Sequence, residues 1–203
     1  MGLLLTVAIV GVEQNLLYIR RILPEQLRLY GAYPFNISVE SVIRTIFDRT
    51  SYSVPAFMAP QLISGVTLLI NGLVVLPMFL VNYINDTHEH GENLFVLICL
   101  TMLLATPITW PHTAIIILLP MAILLRESLI FGRRSLFIVL VLVLLTFSIP
   151  ERVLLRDVVA AYPPAKVPWY VLLSVKPGLL GLFILWVTFS RNILTRRRSS
   201  FKF

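Results

Sequence analysis

Apolar positions gather into long runs separated by shorter polar stretches. Residues 60–82 form one such run, and roughly 20 apolar residues in a helix cross a hydrocarbon core. Gly65 and Gly72 within it offer close-packing positions, and Pro77 predicts a kink. Residues 94–125 form a longer run, about 48 Å as one straight helix. It is broken by Thr106-Pro107-Ile108-Thr109-Trp110-Pro111-His112. Two prolines around Trp110 predict a turn between two short helices, because each removes a backbone donor and disfavours helix in the residue before it. Residues 135–149 and 170–190 are the remaining runs, the last with Lys176-Pro177-Gly178 near its start.

The polar stretch 20–59 carries a different period. Val39, Val42, Ile43, Ile46 and Phe47 recur at helical spacing opposite Glu40, Arg44 and Asp48, with Ser38 placed to cap the N-terminus. This pattern predicts an amphipathic helix lying on a membrane surface, and residues 152–162 predict a second amphipathic piece. The N-terminal apolar stretch, Leu3 to Val10, is short and is followed by Glu13. It reads as the end of a membrane helix, so the chain is expected to be the C-terminal part of something longer.

Composition settles the class that these runs suggest. The chain has 203 residues, of which 58% are hydrophobic and 13% charged, against roughly 45–50% and about 25% in ordinary globular domains. Mean hydropathy is +0.88. The expected fold is all-α: a single membrane domain over residues 1–203, a polytopic bundle of about five to six transmembrane helices with a long amphipathic extracytoplasmic loop. Disorder, a disulfide scaffold and a soluble nucleic-acid binder are excluded, and no nucleic-acid partner is expected. Cys99 is the single cysteine, so no intrachain disulfide can form. The formal net charge is +7, and its densest basic cluster, Arg196-Arg197-Arg198, predicts a cytoplasmic C-terminus; the membrane is expected to be a bacterial inner membrane. With residues 94–125 as a hairpin, loop 20–59 lies outside; with one span it lies inside. Counting Lys and Arg favours the single span, whereas the two prolines favour the hairpin, which we expect.

Several residues could carry chemistry. His112 beside a helix break presents a ring nitrogen near a helix N-terminus, a suitable place for phosphate. Trp110 could stack on a sugar face. The plainer alternatives are a capping histidine and an interfacial aromatic anchor. Asn36 and Ser38 can cap the surface helix while Arg44 offers a fork of donors to phosphate oxygens, or simply touches lipid headgroups. Lys176, about six residues into the last run, is an intramembrane cation and so a candidate site, or a snorkelling side chain. His88-Glu89-His90-Gly91-Glu92 superficially resembles a metal cluster, but adjacent loop residues seldom converge on one ion. No metal is expected.

Asn36-Ile37-Ser38, then Arg44, then Thr106-Pro107-Ile108-Thr109-Trp110-Pro111-His112 together resemble the C-terminal half of family 87 glycosyltransferases. These are membrane mannosyltransferases of the C-type superfamily, which use polyprenyl-phosphate-mannose. The family pattern has glutamine where Ile37 stands, serines at Thr106 and Thr109, and often a second histidine at Thr113. The resemblance implies an extracytoplasmic donor site with His112 and Trp110 in the pocket and Asn36 and Arg44 on the same face; Lys176 is a further candidate contact for the anionic donor. It implies no cofactor beyond the lipid-linked sugar, and a general base supplied by a missing N-terminal half or a partner subunit. The alternatives carried with it are a non-catalytic membrane subunit that scaffolds partners and a small transporter using His112 and Lys176.

Overall fold

The computed structural model describes residues 11–84, 91–110, 115–149, 151–162 and 166–200. The short apolar stretch at Leu3 to Val10, His112 with Thr113, and the His88–His90 segment lie outside the described residues. The described chain is mostly helical, and its order follows the apolar runs. Helix α1 (Val12–Leu17) passes through a π-helical turn (Tyr18–Ile22) into α2 (Leu23–Tyr30). Helix α3 (Val39–Phe47) follows, then strand β1 (Ser53–Val54), a 3-10 turn (Pro60–Leu62) and α4 (Ile63–Ile84). The second half comprises α5 (Gly91–Ala105), α6 (Leu118–Phe131), α7 (Arg134–Ser148), α8 (Glu151–Ala161), β2 (Val167–Pro168), α9 (Trp169–Ser174) and α10 (Pro177–Ser200).

Residues 94–125 are two helices, α5 and α6, and they run antiparallel. Arg126 near the end of α6 reaches back to Glu92 in the first turn of α5, with Nη2 to Oε2 at 2.6 Å. Gly132, with φ of 61°, makes the tight turn from α6 to α7 in a left-handed conformation that costs glycine little. Helix α10 packs on α7 and α5, α5 on α4, and α6 on α7. Their common core holds Val96, Leu100, Leu104, Ile123, Leu124, Val143, Leu182, Leu185 and Phe189. One end of this bundle carries residues 31–59, 106–110, 151–162 and 166–176; the other carries the turn at Gly132 and the far end of α10.

Among the described residues one helix is both long and apolar enough to cross a membrane, at Pro60–Leu80. Gly91–Ala105, Arg134–Ser148 and Pro177–Ile193 are shorter apolar helices. Helix α4 continues through Pro77. Gly65 and Gly72 do not provide the expected close approach, since a Cβ at either would meet no atom within 4 Å. That role falls to Gly181 in α10. A Cβ there would run into Thr146 Oγ1 and come within 2.6 Å of Phe147 Cε2 on α7.

Two further expectations are corrected. The run 170–190 is not one helix: it breaks between α9 and α10, because Pro177 cannot donate to the preceding turn and instead opens the new helix. Lys176 sits in that break, at the end of the bundle rather than inside a span. Helix α3 does begin at Ser38, whose Oγ accepts from Ser41 N at 3.1 Å. Glu40, Arg44 and Asp48 stay partly exposed, but the helix has a second buried face beside them. Ser41 and Thr45 are as fully buried as its apolar residues, because α3 is covered on both sides.

Replacing Gly181 by leucine is expected to separate α7 from α10 and cost about 1–3 kcal/mol, the usual range for overpacking. A lowered thermal unfolding midpoint of the purified chain checks it, with Gly72→Leu as the unaffected comparison.

Candidate functional site

Three segments distant in sequence meet at one end of the bundle, and Asn36 joins two of them. Its side chain is completely buried. Oδ1 accepts from the backbone N–H of Thr109 at 2.9 Å and of Ser38 at 3.1 Å. Nδ2 lies within 3.0–3.2 Å of the carbonyls of Pro107, Gly31 and Tyr30. Ile37 N donates to Thr109 O at 2.9 Å, and Ser38 Oγ donates to Pro107 O at 2.8 Å. Thr109 Oγ1 in turn donates to Leu103 O, satisfying a carbonyl at the C-terminus of α5. The loop before α3 and the Thr106–Trp110 bend are thus one hydrogen-bonded unit.

Lys176 brings in the third segment. The side chain is 4% exposed. Its ammonium donates to Asn36 O at 2.6 Å, to Tyr33 O at 3.1 Å and to the Ser41 hydroxyl. An ammonium buried this deeply is tolerated only when its donors are met. Its place beside Ser41 also sets it next to the N-terminus of α3, where the helix dipole is positive. The result is a locally electropositive floor.

Above this floor lies a chain of half-buried aromatic rings. Tyr33 is at its centre, with ring centroids 5.5 Å from Trp110, 5.4 Å from Tyr52 and 5.6 Å from Phe35. Tyr30 packs edge-on against Trp110 at 5.7 Å. Burial pushes the Tyr52 phenol above its ordinary value, and Tyr33 and Tyr30 add to the effect, so it remains a neutral hydroxyl. Behind Tyr52, β1 pairs in parallel with β2, matching Ser53 to Val167. A small apolar cluster of Val167, Leu172 and Val175 seals that side together with Leu154, Leu155 and Val158 of α8.

The five residues singled out from the sequence fare differently. Asn36, Trp110 and Lys176 do converge here. Asn36 and Lys176 give the donors described above to the chain's own atoms, so they act as positioning residues. Arg44 is not poised as an open fork. Its Nε and Nη2 both point at Glu40 Oε1, at 2.8 and 2.7 Å, one turn back on α3. The guanidinium lies over Gly31, where a Cβ would come within 3.0 Å of Arg44 Nε. His112 lies outside the described residues, two positions beyond Trp110. Tyr30, Tyr33, Tyr52 and Ser41 were not singled out. The pairing of Ser41 with Thr45 one turn apart, opposite the apolar stripe, was the available signal for a second buried face. Among the described residues no group of three or more His, Cys, Asp or Glu side chains could hold a metal ion.

No protein-family model matches this chain, and no curated protein or solved structure matches it either.

Removing the Asn36 side chain leaves the amides of Thr109 and Ser38 buried without their acceptor. Asn36→Ala is expected to lower the local opening free energy of both by about 1–3 kcal/mol. Hydrogen exchange should then be about five- to a hundredfold faster at these two amides, with the amides of α7 unchanged.

Proposed function

We propose that this chain is an integral membrane protein whose aromatic-capped end binds a polyprenyl-phosphate-linked hexose, as the donor-binding part of a glycosyltransferase resembling family 87. The observation that carries this reading is the meeting of the Asn36–Ser38 loop, the Thr106–Trp110 bend and Lys176 in one hydrogen-bonded unit beneath the aromatic rings. The motif segments that resemble the family are about 70 residues apart in sequence, and a shared donor requires that they be neighbours in space.

Support for the membrane comes from the surface. Leu68, Leu69, Phe79, Met102, Leu129 and Ile130 are all more than three-fifths exposed, more bare apolar side chain than a chain of this size leaves facing water. Charge supports an orientation. Arg126, Arg133, Arg134 and Arg191 lie toward the end opposite the site, as does the stretch of α10 that holds Arg196, Arg197 and Arg198. Arg49, Arg156 and Lys166 lie at the aromatic end, but the densest cluster, Arg196-Arg197-Arg198, belongs to the other, and we take that cluster to hold its end in the cytoplasm, which leaves the aromatic end on the extracytoplasmic side. The membrane here is a bacterial inner membrane.

The chemistry follows from where charge moves. Breaking the bond between the anomeric carbon and the lipid phosphate builds negative charge on the departing phosphate. Lys176 and the N-terminus of α3 supply a positive potential from a desolvated position that needs no rearrangement as the charge develops. Trp110 offers a ring face to the sugar and His112 a direct contact to donor oxygens. Arg44 joins them only by exchanging Glu40 for phosphate. Asn36 and Lys176 hold the loop that presents these groups. No cofactor takes part, and the carboxylate that accepts the proton of the acceptor hydroxyl comes from outside this chain or from a partner subunit.

A second reading is a non-catalytic subunit that scaffolds other membrane proteins. It is favoured by the self-contained bonding of Asn36 and Ser38 and by the open face of α4 around Gly65 and Gly72. The two readings part on His112. In membranes containing the protein, His112→Ala is expected to lower transfer from labelled polyprenyl-phosphate-mannose by about 10²-fold, comparable to losing one charge-stabilising contact, with insertion unchanged. Undiminished transfer, or no donor binding by the unaltered protein, contradicts the enzyme reading.

A further inference from the structure

At the end of the bundle opposite the aromatic rings, a groove of about 340 Å³ opens between α5 and α6, within the range of roughly 300–1,000 Å³ typical of ligand clefts. Phe95, Leu119, Ala122 and Ile123 line it, and Glu92 and Arg126 stand at its mouth. Leu119, Ala122, Ile123 and Arg126 fall on one face of α6 at spacings of three and four, and Glu92 and Phe95 on one face of α5. The groove therefore runs along the helices, from a charged mouth into apolar walls. That shape suits a hydrocarbon chain attached to a polar head.

The mouth selects the head. Arg126 and Glu92 form an exposed ion pair, with 51% and 64% of their side chains accessible. Two of the five guanidinium N–H groups are directed at the carboxylate. By count, three further N–H groups and about two carboxylate lone-pair sites remain on this exposed pair. An anionic head would gain the guanidinium but meet the Glu92 charge. A head carrying both a phosphate and a primary ammonium meets both groups: phosphate on Arg126, ammonium on Glu92, closing a ring of alternating charges. A quaternary ammonium lacks the N–H that Glu92 accepts.

We propose that the α5–α6 groove binds an aminophospholipid, a zwitterionic lipid with a phosphate and a primary ammonium, with one acyl chain between Phe95 and Leu119 and its head on the Arg126–Glu92 pair. This inference rests on the membrane reading above and is independent of sugar transfer.

The full chain in mixed micelles holding equal amounts of ethanolamine, choline and glycerol phospholipids of identical acyl chains tests it, read by native mass spectrometry. The ethanolamine lipid is expected to be retained about three- to fivefold over the other two, the factor that one exposed charge contact supplies. Glu92→Gln is expected to abolish that preference, and Ala122→Phe, which fills the groove without changing charge, to abolish retention itself. Equal retention of the three lipids, a preference for the glycerol lipid, or a preference surviving Glu92→Gln overturns the proposal. Alkaline carbonate extraction separates the two readings. A chain that stays with the bilayer yet shows no lipid preference overturns only the groove, whereas a released chain overturns the membrane reading and the groove with it.

Discussion

A lysine ammonium out of water is costly unless every donor finds an acceptor, and at Lys176 the acceptors come from a segment about 140 residues earlier in the chain. Its bonds to the carbonyls of Tyr33 and Asn36 and to the Ser41 hydroxyl tie the head of α10 to the loop before α3. Asn36 then ties that loop to the Thr106–Trp110 bend at the end of α5. Three helix ends that share no local sequence are thereby held in register by two side chains. The aromatic rings, the short β1–β2 pairing and the burial of Ser41 and Thr45 on α3 accompany that register.

The same arrangement separates residues that hold from residues that act. Asn36 and Lys176 are closed in by their own partners, and their contribution to any bound donor passes through position and potential. Trp110 stays partly exposed at the rim, where a ligand of the proposed kind would meet it. Arg44 stands between the two kinds, since its guanidinium is committed to Glu40 at close range yet remains partly open. The proposed donor, with an anionic centre, a sugar and a long hydrocarbon tail, would meet an electropositive floor, an aromatic rim and an apolar bundle in turn.

Much of this was legible in the sequence where one physical rule acted alone. Prolines 107 and 111 announced the break between α5 and α6. The period of Val39, Ile43 and Phe47 after Ser38 announced α3 and its cap, and Arg152 to Tyr162 announced α8. Legibility failed where local signals met tertiary ones. Lys176 read as a cation inside a span, because an apolar run does not show that its helix stops at Pro177. The burial of Ser41 and Thr45 was not legible, because nothing local reveals that Lys176, just ahead of α10, reaches the Ser41 hydroxyl. Gly65 and Gly72 read as contact points by spacing, while the close approach belongs to Gly181, which carries no motif. Arg44 was read without its neighbour one turn back, and a carboxylate at that spacing competes for the guanidinium.

All of these readings require that loop 31–59, the Thr106–Trp110 bend and the β2 segment share one side of the membrane, opposite the Gly132 turn. Single cysteines at Ser51, Thr106 and Lys166, which are all exposed, and at Arg133 report on this directly in a chain with Cys99 replaced by serine. Labelling of intact cells with a membrane-impermeant maleimide is expected to modify the first three positions and leave the fourth untouched until the membrane is permeabilised. Modification of position 106 only after permeabilisation, with position 51 labelled in intact cells, would place the two halves of the site on opposite sides and contradict the account.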